Sequence, residues 1–184
     1  MVMHVTRWYE NREEIIRWST LYNENQSPID LQTENDVGSR LREKLELSKT
    51  DLERMVSWKF ESLPGRKHLT LTRVSSVGEQ EISEIFRRAL DADCERTRIS
   101  ELLRLPGIGP AMASVILTFY DPKQYAVLDI HAWRELFGKE PNSLFQGPKC
   151  LMKFLKKVRV IADMHGLDAR TVEKALFQRN FDRS

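Results

Sequence analysis

Two stretches of the chain carry residue types that could do chemistry together. Leu105-Pro106-Gly107-Ile108-Gly109 joins two apolar helical patterns through a pair of glycines, and Asp129 stands one helix and one loop further on. Pro106 lacks an N–H and biases its predecessor away from helical geometry, so the first helix is expected to end near Leu105. Gly107 and Gly109 permit positive φ and close backbone approach. Pro110 suits the first turn of the next helix, whose apolar stripe is Met112, Val115, Ile116 and Phe119. Such a turn leaves backbone N–H groups pointing outward beside a helix N-terminus, a site for a phosphate oxygen. Asp129 opens a further helix, with Ile130, Trp133, Leu136 and Phe137 on its apolar side, where the helix dipole favours the ionised carboxylate. An anion so placed can stabilise a developing positive charge and position a water. Each feature also has a plainer reading: Asp129 as an N-cap, which does not exclude a second role, and the glycine pair as a tight turn.

Leu105-Pro106-Gly107-Ile108-Gly109 resembles the hairpin of helix-hairpin-helix proteins, which hold the DNA backbone without reading its sequence. Ala126-Val127-Leu128-Asp129-Ile130-His131 is similar to the block that carries the invariant aspartate of the helix-hairpin-helix DNA glycosylases, the endonuclease III superfamily. The resemblance implies excision of a damaged or mismatched base from double-stranded DNA. Asp129 would stabilise the oxocarbenium-like sugar and orient water, while Gly107, Ile108, Gly109 and Ala111 would meet the DNA backbone. The hairpin carbonyls would share a monovalent cation, K+ or Na+, with a phosphate. Bifunctional members carry a nucleophilic lysine where this chain has Ala111, so the expected enzyme is monofunctional, breaking the N-glycosidic bond without a Schiff base. Lys59 and Lys123 are the alternatives to that lysine, and both are expected to be surface lysines. An extruded base needs an apolar or aromatic pocket, for which Trp58, Tyr125, His131 and Trp133 are candidates, either as lining or as scaffold. The alternatives are a non-enzymatic helix-hairpin-helix module that recognises distorted or abasic duplex, and a purely structural or protein-interaction role.

The elements that must position these residues read as an all-α, helix-hairpin-helix glycosylase-like chain of about eight helices in one unit, 1–184. An amphipathic helix is expected over 6–23, then a loop over 23–30, then a surface helix from about Asp36 to Leu47. Thr50-Asp51-Leu52-Glu53 has capping-box form and opens a helix with Leu52, Met55, Val56 and Phe60 at helical spacing. The stretch from Leu63 to Val74 breaks the pattern with a Pro-Gly turn and reads as an exposed basic connection, whose Arg66, Lys67 and Arg73 are candidate phosphate contacts. Ser76 to Glu79 is a second capping box, opening a helix with Ile82, Ile85, Phe86 and Ala89 inward. Asp93 is expected to cap the short helix leading into the hairpin. Beyond a loop at Gly138 to Ser143 comes a long helix after Gly147-Pro148, with Leu151, Phe154, Leu155, Val158, Ile161 and Ala162 on one side. Its other side carries Lys149, Lys153, Lys156 and Lys157, of which Lys153 is a candidate phosphate contact. Gly166 fits its C′ position, and a last helix runs from about Asp168 to Phe181. The resemblance implies two closely packed lobes, one over about 36–128 bearing the hairpin and one pairing about 1–35 with 129–184.

Composition narrows the classes further. With 184 residues and 41% apolar content the chain can bury a substantial core. Its 29 basic and 27 acidic residues nearly cancel to a net charge of +2, so any DNA footprint depends on how charge is arranged. The 2 cysteines, Cys94 and Cys150, exclude the four-cysteine iron–sulfur cluster that many glycosylases of this superfamily carry. No histidine or cysteine spacing points to zinc or another metal site. No stretch reads as a membrane span or signal peptide, and the chain is expected to be cytoplasmic and nucleoid-associated or otherwise intracellular.

Overall fold

Short turns rich in proline and capping residues divide the chain into α-helices, and a computed structural model describes residues 7–141 and 145–183 of them. After a 3-10 turn at Trp8–Glu10 come α1 (Arg12–Asn25), α2 (Pro28–Lys44), α3 (Lys49–Lys59), α4 (Pro64–Ser75) and α5 (Glu79–Leu90). Then follow α6 (Glu95–Leu102), α7 (Pro110–Tyr120), α8 (Ile130–Phe137), α9 (Gly147–His165) and α10 (Ala169–Phe181). No strand occurs among the described residues, and there are 10 α-helices where about eight were expected.

The largest difference from the sequence reading is α4. Pro64 occupies the first turn, where its missing N–H costs nothing, so Pro64-Gly65 starts a helix instead of an exposed connection. Thr70 and Val74 are buried, with Lys67 and Leu71 half-buried beside them, which is a helical stripe following the Pro-Gly pair. Similarly, Pro28 starts α2 within the expected loop, and the Ser27 hydroxyl accepts from Asp30 N at 3.2 Å. That helix ends at Lys44, before the expected Leu47, with Leu45 in the left-handed region.

Other boundaries shift by a few residues. The expected first helix began at residue 6, outside the described residues; α1 starts at Arg12, where the Asn11 side chain accepts from Glu13 N at 2.8 Å. The cap of α3 is Ser48 and not Thr50, and α5 follows Gly78, leaving the Glu79 carboxylate to accept from Lys49 N at 3.0 Å. Cys94 and not Asp93 occupies the cap position of α6, which ends at Leu102, short of Leu105. Gly138 ends α8, and Asn142 and Ser143 of the following loop lie outside the described residues. Gly166 ends α9 with φ +61, and Asp168 precedes α10, both as expected.

One continuous apolar core runs through the described residues, with Phe86, Phe119 and Phe154 among its fully buried side chains. α1 lies along α10, which also packs on α8 and α9, while α2, α3 and α7 pack on one another. Gly38 lets α2 close on the end of α7, since a Cβ there would come within 2.8 Å of the Phe119 carbonyl oxygen. No helix among the described residues is long and apolar enough to cross a membrane.

Candidate active site

Asp129 is both a helix cap and a wall of an open cleft. Its Oδ1 accepts from His131 N at 2.9 Å, closing the first turn of α8. Its Oδ2 accepts from the Lys59 ammonium at 2.7 Å. The Lys59 and Asp129 side chains are 11% and 19% exposed, so the pair is shielded yet reachable from the cleft that both line. Burial raises the Asp129 pKa, but the Lys59 charge, its hydrogen bond and the His131 N–H together outweigh burial and hold the carboxyl below its usual range. The residue is an anion at neutral pH.

Lys59 reaches this position because it is the last residue of α3, and Leu52, Met55 and Val56 on that helix are buried. Lys59 continues their stripe at helical spacing, which aims its stem inward and corrects the expectation of a surface lysine. Lys123 is exposed, as expected.

The cleft holds about 680 Å³ and takes its walls from α1, α3 and α10 as well as Asp129. Trp58 lines it, held edge-on against Phe119 at a centroid distance of 5.1 Å. Tyr22, Phe177 and Phe181 supply three further aromatic rings, so the space is bounded by flat apolar surfaces with an ion pair at one side. Beneath them Arg170 is buried against Glu34, with Nε–Oε1 and Nη2–Oε2 distances of 3.0 and 2.9 Å, and against Glu173. Arg170 also donates to the Tyr22 hydroxyl at 3.3 Å. Burial raises the Glu34 pKa, yet the Arg170 charge and hydrogen bonds more than offset this and bring it down to about 2. This charged base fixes Tyr22 and α10 relative to α2.

The glycine-rich turn is tied to the same place through Ser114. The Leu128 N–H donates to Ser114 Oγ at 2.8 Å, and Ser114 Oγ donates to the Ala111 carbonyl at 2.6 Å. The segment carrying Asp129 therefore runs back along α7 to its first turn, which follows directly from the turn. Gly107 has φ +85, and a Cβ there would come within 3.0 Å of Arg73 Cβ and 3.3 Å of the Thr70 carbonyl oxygen. Only glycine fits, and α4 packs directly on the turn. Gly109 differs: its φ is −98°, and a Cβ there would meet nothing within 4 Å. The fold does not require glycine at this exposed N-cap, whereas close approach of a ligand to the backbone would. Ile108 is buried beneath the turn, and Ala111, half-buried in the first turn of α7, offers only a methyl group.

The remaining candidates separate by position. Of the four proposed pocket residues, only Trp58 lines the cleft. The His131 ring turns away to Asn180, with Nδ1 3.0 Å from Oδ1, and packs edge-on against Phe177 and Phe181 from behind. Tyr125 is buried and accepts from Arg98 at 2.9 Å, and Trp133 is buried against Phe137 and Phe145. These three are scaffold. Arg66 and Arg73, both exposed, fall seven residues apart on α4 and so share a face, with Arg73 beside Gly107. Lys67 is half-buried on another side of that helix and lines a different surface depression. Lys153 lies with its ammonium 4.8 Å from the Phe137 ring centroid, not in the cleft lining.

The residue order offers Lys59 only as a substitute for the absent hairpin lysine, read as a surface residue, and does not single out Tyr22, Arg170, Glu173 or Phe177 as site residues. A signal for two of them is present: Arg170 and Glu173 fall at helical spacing with Phe177, a charged pair on a face that a plain packing helix would keep apolar. Among protein-family models, curated proteins and solved structures, none matches this chain.

Proposed function

We propose that the protein removes a damaged or mismatched base from double-stranded DNA by breaking its N-glycosidic bond, as a helix-hairpin-helix glycosylase-like enzyme. The observation that carries this reading is the Asp129 carboxylate, ionised and lining an aromatic-walled cleft, on a segment hydrogen-bonded to the helix that the glycine-rich turn begins. Cleavage of the C1′–N bond develops positive charge on the sugar, and a fixed anion beside C1′ stabilises it more than it stabilises the neutral ground state. A base leaving the duplex stack needs flat apolar surfaces to replace its lost stacking, which Trp58, Tyr22 and Phe177 offer.

Backbone N–H groups at the start of α7, with Gly109 open to close approach, would hold a phosphate, and Arg66 and Arg73 would extend that contact along α4. The carbonyls of the turn are oxygen donors of the kind K+ or Na+ takes, and such an ion would help to hold the phosphate.

The test is to incubate the protein with labelled duplexes carrying uracil, thymine opposite guanine, hypoxanthine, 8-oxoguanine or an alkylated purine, and to measure free base by chromatography. Release from one of these supports the reading. Salt-sensitive duplex binding without release from any of them would favour a module that recognises distorted or abasic DNA without cutting it.

A further inference from the structure

The geometry points to Lys59 as a covalent nucleophile, so that the cleft joins base removal to strand scission through an imine between Lys59 and C1′ of the sugar. This rests on the base-excision reading above and reverses the expectation, drawn from Ala111, of a monofunctional enzyme. Among the described residues that line the cleft, Lys59 alone carries a primary amine, and its Nζ is 2.7 Å from Asp129 Oδ2. The packing of α3 does not call for an amine there, and pairing with Asp129 needs only a cation. The position continues the stripe of Leu52, Met55 and Val56, where an apolar side chain would pack without the cost of desolvating a charge. The amine comes from α3 and not from the helix after the turn, so hairpin residues alone give no sign of it.

The chemistry balances with the groups present. Lys59 Nζ gives one proton to Asp129 Oδ2, and its freed lone pair bonds to C1′ as the C1′–N bond breaks. The electron pair of that bond leaves with the base, which takes the proton from Asp129. Nζ then gives a second proton to O4′ as the C1′–O4′ bond opens, leaving a protonated imine. Asp129, a carboxylate again, takes a proton from C2′ as the C3′–O3′ bond breaks and its electron pair leaves with the 3′ phosphate, which cuts the strand, and water hydrolyses the imine to restore the lysine.

The experiment is borohydride trapping of the full chain on a duplex containing one abasic site, with mass mapping of the adduct and, in parallel, chromatography of free base from the lesion panel. An abasic duplex holds no base to excise, so trapping is independent of which lesion is recognised. The expected result is a covalent adduct on Lys59 that falls by about 100-fold or more in Lys59→Arg, which keeps a cation beside Asp129, and equally in Lys59→Gln. Lys123→Ala should trap as the unaltered protein does. Duplex affinity and the helical circular dichroism of each variant serve as checks on folding. No adduct, or one that persists in Lys59→Arg or maps to another lysine, overturns the role of Lys59, and release of free base in the same experiment would leave base excision standing. An adduct on Lys59 with no base released from any lesion would uphold the nucleophile and overturn excision.

Discussion

Ser114 Oγ accepts the Leu128 N–H at 2.8 Å, and this bond fixes the residue next to Asp129 against the helix that begins at the glycine-rich turn. The Ser114 hydroxyl, buried in α7, thus sets the distance between backbone anchor and carboxylate. Ser114→Ala leaves the buried Leu128 N–H without a partner and is expected to cost about 1–3 kcal/mol of stability. Urea unfolding measures that cost; a change within error would remove Ser114 as the tie between the two features.

The two glycines of the turn should respond in opposite ways. Gly107→Ala meets both positive φ and Arg73 Cβ, and should lose about 1–3 kcal/mol of stability. Gly109→Ala has ordinary φ and open space, so its stability should change by under about 0.5 kcal/mol. Its affinity for duplex should nevertheless fall by roughly tenfold, the loss of one backbone contact to phosphate. Thermal melts and fluorescence anisotropy separate the two. Unchanged affinity in Gly109→Ala would mean that the turn does not touch DNA.

Arg66 and Arg73 share the face of α4 that meets the turn. If they contact phosphates, Arg66→Ala and Arg73→Ala should each weaken duplex binding similarly for all sequences and reduce the slope of log affinity against log salt by about 1. Lys153→Ala, on α9 over the Phe137 ring, should leave the slope unchanged. A salt titration of each variant decides this.

Glu34 makes stability depend on pH at the acid end. Its folded pKa of about 2 lies below its ordinary value of 4.5, so the stabilisation is complete above about 4.5 and is lost as pH falls through about 2. At 1.36 kcal/mol for each tenfold step in proton affinity, the difference is worth about 3 kcal/mol. Urea unfolding from pH 6 to pH 2 should show the unaltered protein losing that much more than Glu34→Gln. Parallel curves would show that Arg170 does not hold Glu34 ionised.

Much of this architecture is legible in the residue order, because helix caps, prolines and apolar spacing act locally. The end of α9 at Gly166, the start of α7 at Pro110 and the cap at Asp129 all follow from side chains within a few positions of them. Proline is the ambiguous case: Pro64 and Pro28 can break a helix or begin one, and only the buried stripe downstream decides. The site is less legible because it is assembled across the chain. Lys59 stands 70 positions from Asp129, and Arg170 stands 136 from Glu34. No local spacing encodes such pairs. What the residue order does hold is the anomaly of a charge on an apolar stripe, at Lys59 in α3 and at Arg170 and Glu173 in α10. Aromatic residues mislead for a related reason, since Tyr125 and Trp133 are apolar enough for the core and go there.

Single-turnover release of free base by Asp129→Asn shows whether the Asp129 carboxylate breaks the N-glycosidic bond. The amide keeps the cap oxygen and the size of the side chain but removes the anion facing the developing cation. On whichever duplex the unaltered protein acts, release should slow by about 100-fold or more, while duplex affinity stays within a few-fold. Equal rates of release in the two proteins, or no release from any lesion by the unaltered protein, would mean that Asp129 does not perform this chemistry.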